Sequence, residues 1–344
     1  MENNRILIVE VNWLGDVLFS TPAIRALRKR YPNSYLSVLV HKRCKEVLLG
    51  NPNVTEIIVL DEEGMHKTLL GKLKLINQLR NKRFDTVYLF HRSFTRTLIC
   101  FLSGIKNRIG YYTSQRRFLL TETILPLQET IHRAAHYYYL ITKRMPSDTG
   151  ELYCDFFVSE RDSSYMESLL NRENIDFNKK LVVMHPAGNW LPKRWPKENF
   201  AKLADELINK FNVNVVFSGG QLEKHNVLDI LNLMNNKAIN LAGKTTLKQL
   251  GALFKRANLV ISADSGPLHI SIALKRPTVA IFGPTSSSIT GPLTKENIAL
   301  LQKEIGCAIP CYKVDCIDNR CMQQISVKDV IDCIEEKKWL ERAK

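Results

Sequence analysis

Four turns of this chain hold residues whose types suit phosphate binding or proton transfer, and each follows a short apolar stretch. The fullest contains Asp264, Ser265, Gly266 and His269. Ser265 can cap a helix, Gly266 lets backbone approach a ligand, and Pro267 suits a first helical turn. A helix that begins after a parallel strand offers free N–H groups and its positive dipole end, which suits a diphosphate. The same residues also serve as plain caps, with His269 a satisfied surface histidine. A second turn, 185–196, carries Gly188, Asn189, Lys193 and Arg194 beside Trp190 and Trp195. That set suits diphosphate oxygens, or else a solvated basic loop in which Trp195 is a packing anchor. In the third, Ser218, Gly219 and Gly220 lead to Glu223, whose carboxylate can accept from a ribose or sugar hydroxyl or merely sit at a helix start. The fourth, 11–16, runs from Val11 and Asn12 to Gly15 and Asp16. A carboxylate there can take a proton from a hydroxyl nucleophile, or cap the following helix. Taken together, the turns of the second half describe a nucleotide-diphosphate pocket better than unrelated caps do.

Elements able to hold these turns alternate along the chain. Apolar, β-branched segments predict strands at 5–10, 36–40, 56–60, 86–90 and 108–112, with helical stretches up to residue 30 and at 43–49, 66–82, 97–103 and 132–144. Pro22 either kinks the first helix or occupies its first turn. The rhythm weakens over 145–180 and then restarts, with strands at 181–185, 213–217, 259–262 and 278–282 and helices at 197–210, 222–234 and 247–257. This alternation predicts two α/β halves, each a doubly wound parallel sheet. The boundaries are placed at 1–165 and 166–325, with 326–344 as a C-terminal helix, capped by Ser326, that can pack back on the first domain. No G-x-G-x-x-G follows either first strand and no Walker lysine motif occurs, which argues against nicotinamide, flavin or P-loop chemistry. Ligands of such sheets sit beyond the carboxyl ends of the strands.

A chain of 344 residues, 45% apolar and 24% charged, fits two folded domains. Neither a run of about 18 apolar residues nor a signal-peptide apolar region is present, so the cytoplasm is the expected compartment. Lysine and arginine total 49 against 34 acidic residues, a formal charge of +15. Such an excess attracts an anionic membrane face, a phosphorylated substrate or nucleic acid. The last is disfavoured because no helix-turn-helix, RNP strand or histidine-containing zinc-finger spacing is found. Cys307, Cys311, Cys316 and Cys321 cluster but lack the C-x-x-C knuckle of structural zinc sites, so reduced thiols in a packed loop are expected and no metal.

Five segments carry a wider resemblance: NWLGDVLFSTPAIRALRKRYP, HPAGNWLPKRWPKENF, VVFSGGQLEKH, NLAGKTTLKQLGALFKRANLVISADSGPLHISIALKRPTVAIFGPTS and CMQQISVKDV. In order and nearly end to end, they resemble the bacterial lipopolysaccharide heptosyltransferases, glycosyltransferase family 9. HRSFTRTLICFLSGIKNRIGYYTSQRR looks most like the heptosyltransferase II branch. The resemblance implies GT-B architecture, two Rossmann-like domains facing across a cleft, and inverting transfer of heptose from ADP-heptose to a Kdo-lipid A acceptor. Asp16 matches the catalytic base, Lys193 the lysine that binds the donor's phosphates and steadies the leaving group, and Glu223 the acid that contacts the ribose. Asp264, Ser265, Gly266 and His269 match the D-(S/T)-G-x-x-H segment around donor sugar and diphosphate. Where Gly188 and Asn189 stand the family often has hydroxyl residues, so this loop departs from the pattern.

Asn12, Arg92, Arg96 and Arg116, with Arg108 and Arg117 nearby in sequence, are assigned to the anionic acceptor. The surplus charge implies a peripheral position at the inner leaflet of the cytoplasmic membrane. No cofactor is expected to be required, because fixed positive charge can replace a divalent ion. Another nucleotide sugar as donor, or a non-catalytic nucleotide-binding role that would not need Asp16, are the competing readings.

Overall fold

The computed structural model describes residues 4–188 and 190–341. The chain divides into two compact units between Phe157 and Val158. The first holds a parallel sheet of β1 (Arg5–Val9), β2 (Tyr35–His41), β3 (Glu56–Leu60), β4 (Thr86–Leu89), β5 (Asn107–Tyr111) and β6 (Glu122–Ile124), in the order β3-β2-β1-β4-β5-β6. In the second lie β7 (Leu181–His185), β8 (Asn214–Phe217), β9 (Ile239–Asn240), β10 (Leu259–Ala263), β11 (Thr278–Phe282) and β12 (Ile298–Gln302), in the order β12-β11-β10-β7-β8-β9. Counted within each unit, the two orders are the same 3-2-1-4-5-6 winding, and every ladder is parallel.

This topology decides where a site can form. Strand order reverses between β1 and β4 in the first unit and between β7 and β10 in the second, where Val9 pairs with Leu89 and Ser262 with His185. At such a switch point the two following turns diverge and leave a crevice. All four turns singled out from sequence follow β1, β7, β8 or β10, so three of them border a crevice of this kind.

β1, β7, β10 and β11 are buried nearly throughout, as expected of strands covered by helices on both faces. Around them Leu7, Val9, Leu75, Leu79 and Val87 build the core of the first unit, while Val182, Phe200, Val215, Phe254 and Ile281 are buried in the second.

Pro22 lies inside the helix Leu14–Arg30 and not in its first turn. The hydrogen bond it cannot make would leave the Leu18 carbonyl unpaired. Thr21 Oγ1 donates to that oxygen at 2.7 Å, so the helix continues.

Two expected boundaries need correction. A cut after residue 165 would pass through the helix Glu160–Arg172, which Ser159 caps by accepting from Asp162 N. Met166, Leu169 and Leu170 are its buried face, and it packs on the helix Leu247–Arg256 of the second unit. The terminal helix, Val327–Glu336, expected to pack on the first domain, belongs to the second unit. Its residues Val330, Ile331 and Ile334 enter the core of the second unit, and Trp195 Nε1 donates to the Ile325 carbonyl at 2.8 Å just before it.

Candidate functional site

In the second unit the switch point brings together residues 71 apart in sequence. Lys193 Nζ donates to Asp264 Oδ2 at 2.6 Å, and Thr285 Oγ1 donates to the same oxygen at 2.7 Å. His269 Nε2 lies 3.4 Å from the other oxygen, Oδ1. Each partner comes from the turn or helix start after a different strand of β7, β10 and β11. Asp264 is 4% exposed. Burial alone would raise its pKa, but the hydrogen bond from His269 and the charge of Lys193 outweigh that and hold it below the usual carboxylate range. An ionised carboxylate thus fixes a lysine, a histidine and a hydroxyl at one point.

Ser265 caps the helix Gly266–Ala273, its hydroxyl accepting from Leu268 N, and Pro267 sits in the first turn. Cap and diphosphate site are compatible readings here, because a cap satisfies one N–H and leaves others of the first turn to a ligand. The turn after β7 folds tightly. A Cβ on Gly188 would stand 3.3 Å from Lys193 Cβ, and Arg194 Nε donates to the Gly188 carbonyl at 3.2 Å. Glycine at this position lets the loop double back and present Lys193, whose ammonium also stands 5.8 Å from the Trp190 ring centroid. Trp195 is a buried anchor against Phe200. Asn189 lies outside the described residues.

Glu223 closes the short turn Gln221–Glu223 after β8, one strand from the switch point. Cβ atoms on Gly219 and Gly220 would meet Glu223 Cβ at 3.0 Å and Glu223 Oε2 at 2.7 Å, so the glycine pair makes room for this side chain. Behind it His185 Nδ1 and Ser218 Oγ, at the ends of β7 and β8, are 3.0 Å apart. Burial brings the His185 pKa down to about 4, so that ring stays neutral.

In the first unit Asp16 is not the N-cap. Trp13 holds that position without a side-chain hydrogen bond, and Asp16 stands in the first turn. Tyr137 Oη donates to Asp16 Oδ1 at 3.4 Å, and Arg133 Nε lies 3.8 Å from the same oxygen. Burial and the Asp16 charge push the Tyr137 phenol well above its usual range, so it keeps its proton. Asp16 is thus a half-buried carboxylate held by a phenol and a guanidinium.

The acceptor assignments divide. Arg92 is exposed, with its guanidinium 5.3 Å from the Tyr111 ring centroid. Arg96 and Arg116, expected to face an acceptor, are instead 2% and 0% exposed. Arg96 donates to the Glu10 carbonyl at 2.9 Å and to Asn12 Oδ1 at 2.7 Å, and pairs with Glu62 at 2.5 Å. Arg116 donates to the His91 and Tyr111 carbonyls at 2.6 and 2.8 Å. The Arg96 donors and both terminal nitrogens of Arg116 are engaged by the protein, while Arg116 Nε is buried without a partner, so in this structure the two side chains position the turns after β1, β4 and β5. Asn12 likewise serves Arg96, and its carbonyl accepts from Arg43. Arg108 is bonded to the Leu119 and Ile105 carbonyls.

Sequence reasoning missed Thr285, Tyr137, Arg133 and Glu10. For Thr285 a signal existed: it opens a hydroxyl run directly after β11, at the same sheet edge as Asp264. Glu10 ends the first predicted strand, is fully buried, and accepts from Ser20 Oγ at 2.7 Å. Burial, with a smaller contribution from Asp16, raises its pKa from 4.5 to about 8 against the hydrogen bonds of Ser20 and Val11.

Between those two values the folded protein holds a proton that the unfolded chain has released, so stability falls as pH rises through the window and levels off above it. The slope is about 1.4 kcal/mol per pH unit. Glu10→Gln keeps an acceptor for Ser20 and cannot ionise. Its melting temperature is expected to match the wild type near the bottom of the window and to exceed it increasingly toward pH 8, as thermal melts across that range will show.

Cys307, Cys311, Cys316 and Cys321 line one small pocket with Pro192 and Pro284, and every cysteine of the chain is a free thiol. Among the described residues no group of three or more His, Cys, Asp or Glu side chains is arranged to hold a metal ion.

Two doubly wound units, with basic and hydroxyl residues gathered at the switch point of the second, define the architecture of a GT-B nucleotide-sugar transferase. The model of glycosyltransferase family 9 (heptosyltransferase) matches residues 72–320. Lipopolysaccharide heptosyltransferase 2 of Escherichia coli strain K12 is 30% identical over 302 residues, 84% of this chain and 86% of that protein. Among solved structures, a glycosyl transferase family 9 protein from Veillonella parvula superposes with a TM-score of 0.90 at 25% identity over 99% of both chains. E. coli ADP-heptose lps heptosyltransferase II gives 0.82 at 26% identity over 98% of both. The chain belongs to glycosyltransferase family 9 and is a glycosyltransferase.

Proposed function

We propose that the protein transfers heptose, with inversion, from ADP-heptose to the inner core of lipopolysaccharide on a Kdo-lipid A acceptor. The observation that carries this is the Lys193, Asp264, His269 and Thr285 cluster beside the helix start at Gly266, which suits a sugar diphosphate leaving as an anion. Relatives named as lipopolysaccharide heptosyltransferases support the choice of donor and acceptor.

In this mechanism the acceptor hydroxyl gives its proton to Asp16 as its oxygen forms the new bond to the anomeric carbon. The bond to the diphosphate breaks, and its electron pair leaves with ADP. Lys193 and the N–H groups at the Gly266 helix start meet the growing charge. Gly188 shapes the phosphate loop, Glu223 takes the ribose hydroxyls, and Ser265 and His269 bound the donor sugar. Arg92 meets the anionic acceptor, with Arg96, Arg116 and Asn12 fixing the loops around it. Positive charge set in advance makes a divalent ion unnecessary.

No helix among the described residues is long and apolar enough to cross a membrane. The cationic surplus supports a peripheral place on the inner face of the cytoplasmic membrane.

The test is a transfer assay on truncated lipopolysaccharide acceptors with ADP-heptose and several other nucleotide sugars, each with and without chelator. ADP-heptose is expected to be used best, at a rate that chelation leaves unchanged. Preference for another donor would overturn the substrate assignment, and loss of rate restored by magnesium would overturn the metal-free mechanism.

A further inference from the structure

The helix Leu69–Asn81 has two apolar faces in its first turns, and the fold uses only one. Gly71, Leu75, Ile76 and Leu79 are buried against the first unit. On the outward side Leu69 and Leu70 are 74% and 72% exposed and Leu73 is 45% exposed. Their spacing at i, i+1 and i+4 makes one continuous outward stripe. Met65, 68% exposed, lies in the loop just before the helix, whose backbone packs so close that a Cβ on Gly71 would stand 2.0 Å from the Met65 carbonyl. An apolar stripe left in water at the start of a helix usually marks an interaction surface.

The loop that displays Met65 is built. Asp61 N donates to His66 Nδ1 at 3.0 Å, His66 N donates to the Asp61 carbonyl at 2.8 Å, and His66 itself is buried. Thr68 caps the helix by accepting from Gly71 N at 3.2 Å. Glu62, paired with Arg96, ties this loop to the helix Phe94–Leu102. Phe94 and Phe118, 39% and 70% exposed with ring centroids 6.2 Å apart, follow β4 and β5 at the same strand-carboxyl edge of the sheet.

The charges around the stripe are of one sign on the helix itself. Lys72 and Lys74 flank the leucines, and Lys67 precedes the cap. Lysine beside protruding leucine and methionine on a capped helix start is the pattern of a surface that enters the headgroup layer of an anionic bilayer: apolar side chains reach the acyl boundary while ammonium groups stay among the phosphates. A protein partner would not need the cationic collar. We infer that Met65, Leu69, Leu70 and Leu73, with Lys67, Lys72 and Lys74, form the docking surface of this protein on an anionic lipid bilayer. The inference rests on the reading above that the acceptor is a lipid-linked saccharide, which docking would hold at the edge of the sheet that carries Asp16.

The experiment is flotation of the full chain with vesicles of phosphatidylglycerol and phosphatidylethanolamine, compared with vesicles of phosphatidylcholine alone. Two variants are used: Leu69→Ser with Leu70→Ser and Leu73→Ser, and Lys67→Glu with Lys72→Glu and Lys74→Glu. Each is expected to lower partition into anionic vesicles by about tenfold or more, with the wild-type melting temperature kept because the side chains are exposed or, for Lys72, half-exposed. Transfer to a deacylated, soluble acceptor is expected to be unchanged. Wild-type flotation of the serine variant overturns the inference. So does a serine variant that binds vesicles normally but turns a wild-type dimer into a monomer, since the stripe then covers a second copy. Flotation needs neither donor nor acceptor, so it decides the docking surface even if ADP-heptose proves not to be the donor.

Discussion

Asp16→Asn is expected to lower kcat by about 10²- to 10⁴-fold, the range a positioned general base contributes, while the dissociation constant for the donor stays nearly unchanged. The substitution is close to isosteric. Its amide oxygen can still accept from Tyr137 Oη, as Asp16 Oδ1 does at 3.4 Å, so the helix Leu14–Arg30 and its contact with Arg133–Thr142 should persist. What disappears is the ability to take a proton at neutral pH. Because Trp13 and not Asp16 occupies the N-cap, lost capping cannot account for a fall in rate. Single-turnover transfer together with calorimetric titration of ADP separates the outcomes. A rate within a few fold of wild type would remove Asp16 from the chemistry and revive the reading of a capping acid or a non-catalytic nucleotide-binding protein.

The parts of the fold legible in the sequence were those whose burial is local and complete. β1, β7, β10 and β11 are short β-branched runs with polar turns after them, and that pattern alone located the crevices. Of the edge strands only β3 was legible: β6 and β9 have three and two residues, and β12, Ile298–Gln302, ends in half-exposed and exposed positions that erase a buried-strand signature. The helix Glu160–Arg172 escaped because Met166, Leu169 and Leu170 are three apolar residues in a polar stretch, even though Ser159 and Asp162 spell out a cap.

At the site, residues that act through a turn they belong to were readable: Lys193, Asp264 and His269 follow strands whose positions were already known. Arginines were not. Arg96 is buried by a partner 34 residues away and by backbone carbonyls, and Arg116 by the His91 and Tyr111 carbonyls. Nothing in the local sequence distinguishes such a guanidinium from one in solvent. The same limit hid Tyr137, which reaches Asp16 across 121 positions.

Lys193→Ala is expected to lower kcat by about 10²- to 10³-fold, the magnitude found for removing one preorganised group that meets charge developing in a transition state. If Lys193 only held the donor's phosphates in the ground state, the loss would appear in the donor KM with kcat preserved. Steady-state kinetics with varied donor therefore test its role on the leaving group directly, and a pure KM effect would sink it.

Asp264 makes the argument sharper, because it is the group on which Lys193, His269 and Thr285 converge. Asp264→Ala leaves a largely buried ammonium without its counter-charge, a change that costs about 3–5 kcal/mol when a buried pair is broken from one side. Since the folded-state pKa of Asp264 is depressed, the stability it supplies is present above the normal aspartate range and is lost as pH falls from that range toward the folded-state pKa. The wild-type advantage over Asp264→Ala should then shrink in acid, which melts at descending pH will measure. The kinetic effects of Lys193→Ala and Asp264→Ala should be strongly non-additive, the double variant being little slower than Lys193→Ala alone, because a carboxylate that works by aiming the lysine has nothing left to aim. Additive losses would mean that Asp264 contacts the donor in its own right.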